Sequence, residues 1–296
     1  MSTAGGDMPT TADQPLRCYR HPDRETYVSC AECGRGICPD CMTFGPVGIR
    51  CPDHARTTGQ APAAAPRRAS RRAVLHVSSR GPVVTQALIV INAGIFLLQL
   101  AMGAGMNANS GWIYEKGVLV ASAIDSSGQV VGVAEGEWWR LITAAFLHYG
   151  PLHLGMNMLV LWLLGQGVED YFGHARYALL YVVAGLAGSA GALLWTPNAL
   201  TVGASGAIWG IMGAAIVLER RRIYVFGGQA MMLLLLNVAI TLFIPGISIG
   251  GHFGGLVGGA LAALAFTSLR RSPALATLAV GGIGVLAVAL AAGSVA

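Results

Sequence analysis

Charge is the first thing this chain lacks. Only 11% of its 296 residues are Asp, Glu, Lys or Arg, against 54% that are hydrophobic, and soluble domains carry about 25% charged residues. A soluble domain of this size is therefore excluded, and the composition is that of a membrane protein. The chain is equally short of cysteine over most of its length, because all six lie before residue 52. Acidic residues are missing from every long apolar run. The first fifteen residues contain no apolar stretch of the length a secretory signal needs, so no cleaved export signal is expected there and this end should stay in the cytosol.

What charge there is sits unevenly. Eleven of the nineteen Lys and Arg and seven of the fourteen acids precede residue 82. Two different objects share the chain. Residues 1–15 read as a disordered N-terminus, 16–56 as a small metal-binding domain, 57–81 as a flexible linker, 82–270 as a polytopic membrane core and 271–296 as an additional C-terminal membrane helix.

The cysteines fall in "CYRH", "CAEC", "CPDC" and "CPDH", pairing Cys18 with His21, Cys30 with Cys33, Cys38 with Cys41 and Cys51 with His54. Two ligands three positions apart on a tight turn can face one metal, and eight such ligands fill two tetrahedral zinc sites. Three disulfides would leave the paired histidines unexplained and would not suit a reducing cytosol. The segment resembles a B-box type zinc finger, and that resemblance implies that alternate pairs share a metal. It would join Cys18, His21, Cys38 and Cys41 at one ion, and Cys30, Cys33, Cys51 and His54 at the other. Pairing of sequential neighbours satisfies the same spacing. With every position of each zinc taken by protein, the domain is structural and suited to binding a cytosolic protein partner.

The linker is rich in Ala, Pro, Ser and Arg and has no apolar face. Arg67, Arg68, Arg71, Arg72 and Arg80 are suited to anionic headgroups of the lipid bilayer. No aromatic residue or motif accompanies them, so no nucleic acid is expected as a partner.

Beyond Pro82, apolar runs near 83–102, 151–168, 176–195, 203–218, 223–244, 249–268 and 274–293 predict seven membrane helices. The arginine linker, Arg176, the "ERRR" at 219–222 and the pair Arg270–Arg271 fall in alternate connections. The opposite connections carry only Lys116 and Arg140, in the long first loop. This asymmetry puts the N-terminus in the cytosol and the C-terminus outside, in a multi-pass protein expected in the plasma membrane. The second, fourth and sixth spans then all enter from the outer face.

Those three entries carry the polar residues. Ser205, in "GASGAIWG", and His252, in "SIGGHFGGLVGG", lie at equal depth near one face. Gly206, Gly210 and Gly213 on one helix and Gly251, Gly255 and Gly259 on the other allow close backbone approach. That approach can put the hydroxyl within hydrogen-bond reach of the imidazole, as a serine nucleophile and its base require. A packing serine beside a buried histidine is the bland alternative, but an intramembrane histidine is rare and marks function.

In "HYGPLHLGMN", His153 and Asn157 share a helical face one turn apart. They and the Ser205 N–H are donors suited to an oxyanion. Metal binding by this pair has no carboxylate or thiol to complete a site. The acids after residue 82, which are Glu115, Asp125, Glu135, Glu137, Glu169, Asp170 and Glu219, all fall in loops or at span ends, so the expectation is a dyad and not a triad. An α/β-hydrolase elbow is excluded because Ala207 stands where its second glycine belongs. No intramembrane charge or repeated broken-helix pair suggests a transporter.

Over residues 83–268 the chain resembles the rhomboid intramembrane serine proteases. Trp139 and Arg140 match the family's first-loop "WR", His153 and Asn157 its second-span pair, Gly203 to Gly206 its "GxSG", and His252 its histidine followed by small residues. The resemblance implies an all-α polytopic membrane protein with a six-helix rhomboid-like core, here extended by a seventh C-terminal helix and preceded by a small two-zinc finger domain. It also implies endoproteolysis of transmembrane protein substrates by Ser205 and His252, with His153, Asn157 and the Ser205 amide as the oxyanion hole and no cofactor for catalysis. Trp209 departs from the tyrosine that bacterial relatives often place against the histidine. A catalytically silent relative that binds membrane proteins for quality control or trafficking is the competing reading, and loss of Ser205 or His252 would have favoured it.

Overall fold

A computed structural model describes residues 15–44, 48–55, 81–104, 106–107 and 109–296. The N-terminal tail, expected to be disordered, and the linker with Arg67, Arg68, Arg71, Arg72 and Arg80 lie outside the described residues. The chain divides into two units, Met1–Arg72 and Ala73–Ala296.

The first unit is built from two small antiparallel hairpins. β1 (Leu16–Arg17) pairs with β2 (Glu25–Thr26), and β3 (Thr43–Phe44) pairs with β4 (Ile49–Arg50), with a short 3-10 turn at Pro39–Cys41 between them. Its buried core is Cys18, Cys30, Ile37, Cys38, Cys41 and Cys51, with Ile37 the single aliphatic among them. So few apolar groups cannot offset the chain entropy of ordering about forty residues, and domains of this size rely on a staple such as a metal. Arg20 pairs with Asp53 at 2.7 Å and Arg24 with Asp40 around the rim.

The second unit is helical. α1 (Val83–Ala101) leads into a long loop that contains α2 (Trp112–Gly117), the hairpin of β5 (Ala123–Ile124) and β6 (Val130–Val131), and α3 (Arg140–Thr143). Then follow α4 (Gly150–Phe172), α5 (His174–Trp195), α6 (Ser205–Arg220), α7 (Ala230–Phe243), α8 (Ile249–Ser268) and α9 (Pro273–Val295). α1, α5, α8 and α9 are long and apolar enough to cross a membrane. α4 is as long but polar at both ends. α6, with 16 residues, spans only ~24 Å of axis. α7 corrects an expectation: the run at 223–244 is not one helix, because Gly227 and Gly228 turn at φ 60° and 85° and the helix starts at Ala230. Only 14 residues remain helical there, ~21 Å.

Local chemistry fixes the starts of α4 and α8. Pro151 occupies the first turn of α4, where a missing N–H costs nothing. The Ser248 hydroxyl caps α8 by accepting the Gly251 N–H at 3.1 Å. The loop before α4 is pinned by Arg140, fully buried, which donates to Glu137 and to the carbonyls of Glu115 and Val118, each at 2.7 Å. Beside it the exposed Trp139 donates its indole N–H to the Lys116 carbonyl at 2.8 Å.

At the opposite end of α4, Glu169 lies at a span end, as expected, and is buried in the last turn of the helix. Its oxygens accept the backbone N–H groups of Val84 and Thr85 at 2.8 Å and the Thr85 hydroxyl at 2.7 Å, with His174 Nδ1 2.6 Å away. It therefore satisfies the open N–H groups at the start of α1, which no residue of α1 itself can do.

α8 is gripped on both sides. Gly255 and Gly259 lie against Gly206 and Gly210 of α6, as the small-residue spacing predicts. A second stripe, Gly250, Gly254 and Gly258, meets Gly191 and Ala187 of α5. A β-carbon on any of these would fall onto a neighbouring helix. The close approach of α5, α6 and α8 sets the separation of the groups they carry.

Candidate active site

α6 begins with Ser205, immediately after a turn at Gly203 with φ 125°. Gly203 is held by its N–H to the Ala144 carbonyl at 2.9 Å. Its open side faces the His153 ring, and a β-carbon there would stand 2.8 Å from that ring. Only glycine gives both the backbone turn and the space.

Ser205 Oγ lies 2.9 Å from His252 Nε2. His252 is buried, and its ring stacks on Trp209 at 4.5 Å between centroids and 22° between planes. Trp209 thus presents its aromatic face to the His252 ring. Its indole is backed in turn by Phe253 at 5.5 Å. The imidazole's other nitrogen, Nδ1, lies 2.8 Å from the Thr241 hydroxyl on α7. Thr241 was not foreseen from sequence. The signal available was the pair Asn237 and Thr241, one turn apart on an otherwise apolar helix.

His153 lies on the first turns of α4. Its Nδ1 accepts the Tyr149 N–H at 3.2 Å, so the remaining proton of the neutral ring sits on Nε2, the nitrogen that faces Gly203. Tyr149 is itself anchored by its hydroxyl to the Leu200 carbonyl at 2.8 Å. Asn157, one turn further along α4, donates one amide hydrogen to the His153 carbonyl at 2.9 Å and keeps a second. The Ser205 N–H, at the first position of a helix, has no carbonyl four residues back to bond. Ser205, His252, His153 and Asn157 all line one cavity of about 610 Å³. A volume of this order admits a stretch of peptide together with several waters, each ~30 Å³.

The eight ligands expected in the first unit fall into two groups, Cys18, His21, Cys38 and Cys41, and Cys30, Cys33, Cys51 and His54. In the first, His21 Nδ1 lies 3.8, 3.3 and 3.5 Å from the three sulfurs. In the second, His54 Nδ1 lies 3.9 Å from Cys30 and 3.1 Å from Cys51, whose sulfur is 3.9 Å from that of Cys33. A tetrahedral ion with bonds of ~2.0–2.3 Å has edges of ~3.3–3.8 Å, so both groups fit one metal ion each. Burial raises the Cys18 and Cys30 thiols, but converging backbone N–H groups, from Cys38 and Arg20 in one case and Cys51 and Glu32 in the other, bring both down to about 6. Thiolate is the form that ligates.

A serine and an imidazole at hydrogen-bond distance, in a cavity between apolar helices and with an amide and a second imidazole beside them, mark the second unit as part of a polytopic membrane protein with a polar site. Comparison with known proteins agrees with that class. A model of the rhomboid domain matches residues 135–269, the part that holds α3 to α8. Rhomboid protease GluP of Bacillus subtilis (strain 168) is 39% identical over 137 residues, 45% of this chain and 27% of that protein. RHOMBOID-like protein 5 of Arabidopsis thaliana is 40% identical over 134 residues, 43% of each. The YdcA protein of Bacillus subtilis (strain 168) is 38% identical over 150 residues, which cover 74% of its length. The chain belongs to the rhomboid family. It spans between about a quarter and less than half of the first two of these relatives, and the cysteine-rich unit and α9 lie outside the matched residues.

Proposed function

We propose that this protein is an intramembrane serine endopeptidase that hydrolyses peptide bonds within or next to transmembrane segments of other membrane proteins. The observation that carries the proposal is the 2.9 Å contact between Ser205 Oγ and His252 Nε2 in a cavity of about 610 Å³ among apolar helices. Ser205 attacks the scissile carbonyl while His252 Nε2 takes its proton. The negative charge on the carbonyl oxygen is met by the Ser205 N–H, His153 Nε2–H and the Asn157 amide, donors already oriented before reaction. The protonated His252 returns its proton to the leaving amine. Water entering from the outer face then repeats the sequence on the acyl-enzyme, and Ser205 is restored.

The short α6 supports access for that water, since a helix of ~24 Å starts below the surface of a ~30 Å hydrocarbon layer. In this reading the metal held by the two Cys/His groups is zinc, it staples the N-terminal unit, and that unit binds a cytosolic protein partner. The N-terminus is cytosolic, the C-terminus external, and the membrane is the plasma membrane.

The test is cleavage of a single-span substrate by the full-length protein in detergent and in liposomes, beside Ser205→Ala. Cleavage by the wild type alone is the expected result. Equal cleavage by Ser205→Ala removes the assignment, and absence of cleavage by both across a substrate panel favours the silent relative.

A further inference from the structure

The His252 ring has two nitrogens, and only Nε2 meets the nucleophile. For Ser205 to give up its proton, Nε2 must be bare, so the proton of the neutral ring must sit on Nδ1. In soluble serine hydrolases an aspartate accepts that Nδ1–H and holds the tautomer. Here the carboxylates are elsewhere. Glu169 and Asp170 lie in the last turn of α4, and Glu219 is fourteen residues along α6 from Ser205, ~21 Å away.

At Nδ1 stands the Thr241 hydroxyl, 2.8 Å away and buried. A hydroxyl has one proton, and the second neighbour of Thr241 Oγ1 determines where that proton goes. The Asn237 carbonyl, one turn back on α7, lies 2.8 Å from the same oxygen. It can only accept, so Thr241 donates to it, in the back-bonding that threonine commonly adopts in helices. The oxygen then faces Nδ1 with a lone pair and must accept. A chain of donors results: the Ser205 hydroxyl to Nε2, Nδ1–H to Thr241, and the Thr241 hydroxyl to the Asn237 carbonyl.

We infer that Thr241 is a positioning residue of the Ser205–His252 pair, a neutral acceptor that sets the tautomer of His252 and holds its ring in the plane that Trp209 defines. The inference rests on the dyad reading. No proton leaves Thr241 during turnover. When His252 takes the proton of Ser205, both ring nitrogens carry hydrogen, and the Thr241 oxygen keeps its bond to Nδ1–H. Thr241 also comes from α7, which carries none of Ser205, His252, His153 and Asn157 and exposes Met232, Leu235, Leu236, Leu242 and Phe243. The ring orientation of His252 thereby depends on where α7 sits.

Thr241→Val keeps the shape and removes the acceptor, whereas Thr241→Ser keeps the acceptor. A buried N–H left without a partner at this point should lower kcat by ~10–100-fold. KM should stay near its wild-type value, because Thr241 does not line the cavity and the shape of the His252 ring is unchanged. Thr241→Ser should recover most of the rate. Equal kcat in Thr241→Val and wild type overturns the inference, as does a loss that Thr241→Ser shares. The wild-type protein gives a variant-free reading through 15N resonances of its histidines, with His252→Ala identifying the signal: a proton on Nδ1 is expected, and one on Nε2 overturns the inference. Ser205→Ala run in the same assay separates the two levels. If it is inactive while Thr241→Val is unimpaired, the dyad reading stands and only the role of Thr241 falls.

Discussion

Gly255→Ala adds one methyl group at the place where the helices that carry Ser205 and His252 meet. Gly255 on α8 faces Gly206 on α6, the residue after Ser205, and a β-carbon built there stands 2.6 Å from the Gly206 carbonyl carbon and 3.1 Å from its Cα. Carbon atoms settle at ~3.5–4.0 Å, so the helices must part by about 1 Å at this level. α8 cannot move away freely, because its Gly250 and Gly254 already press on α5. His252 is three residues from Gly255 and Ser205 adjoins Gly206, so the 2.9 Å hydrogen bond stretches to about 4 Å and is lost. A displacement of that size costs ~10² in rate, and the overpacking itself costs about 1–3 kcal/mol of stability. The assay is the rate of labelling by a fluorophosphonate in the full-length protein in detergent, with thermal unfolding followed in parallel. Gly281→Ala and Gly282→Ala on α9, where a β-carbon meets nothing within 4 Å, serve as controls and should label like wild type. A Gly255→Ala protein that labels at the wild-type rate would refute the claim that the α6–α8 approach sets the geometry of the pair.

On the proposed mechanism Asn157→Ala removes one oxyanion donor, and it should lower turnover by ~10²–10³ with fluorophosphonate labelling retained; unchanged turnover would take Asn157 out of the site. Metal analysis of the full-length protein should return two zinc ions per chain, and Cys41→Ser should reduce this to one, since the groups share no ligand; loss of both, or of neither, would contradict separate sites. Cysteine introduced at Asn198 should be labelled by a membrane-impermeant maleimide from outside, and cysteine at Arg220 should not; the reverse pattern would invert the membrane orientation.

Much of the site was legible because its residues are chemically out of place. A serine, two histidines and an asparagine in apolar runs stand out, and their positions near helix starts put them at one depth. The stripe Gly206, Gly210, Gly255 and Gly259 foretold which helices would touch. Thr241 was hard to read, because the polar pair Asn237 and Thr241 does not say which helix it faces and α7 is not held to α8 by a glycine pattern. The partners of Glu169 were hidden for a similar reason: they are backbone N–H groups more than eighty residues earlier, which no local pattern announces. The second glycine stripe of α8 was hidden by the first, since both come from one glycine-rich run and only three dimensions separate the faces. The start of α7 was set by Gly227 and Gly228, which apolarity alone overrides in a reading by hydropathy. For the cysteines, spacing allowed two pairings, and only the fold of the hairpins brings Cys18 and His21 to Cys38 and Cys41.

The most direct test of the central claim is the site of covalent modification. Full-length protein treated with a fluorophosphonate and digested for mass spectrometry should carry a single adduct, on Ser205. Neither Ser205→Ala nor His252→Ala should acquire it at a comparable rate, since one lacks the nucleophile and the other its base. An adduct on another serine, or labelling of Ser205 that proceeds equally fast without His252, would contradict the Ser205–His252 pair as the catalytic unit.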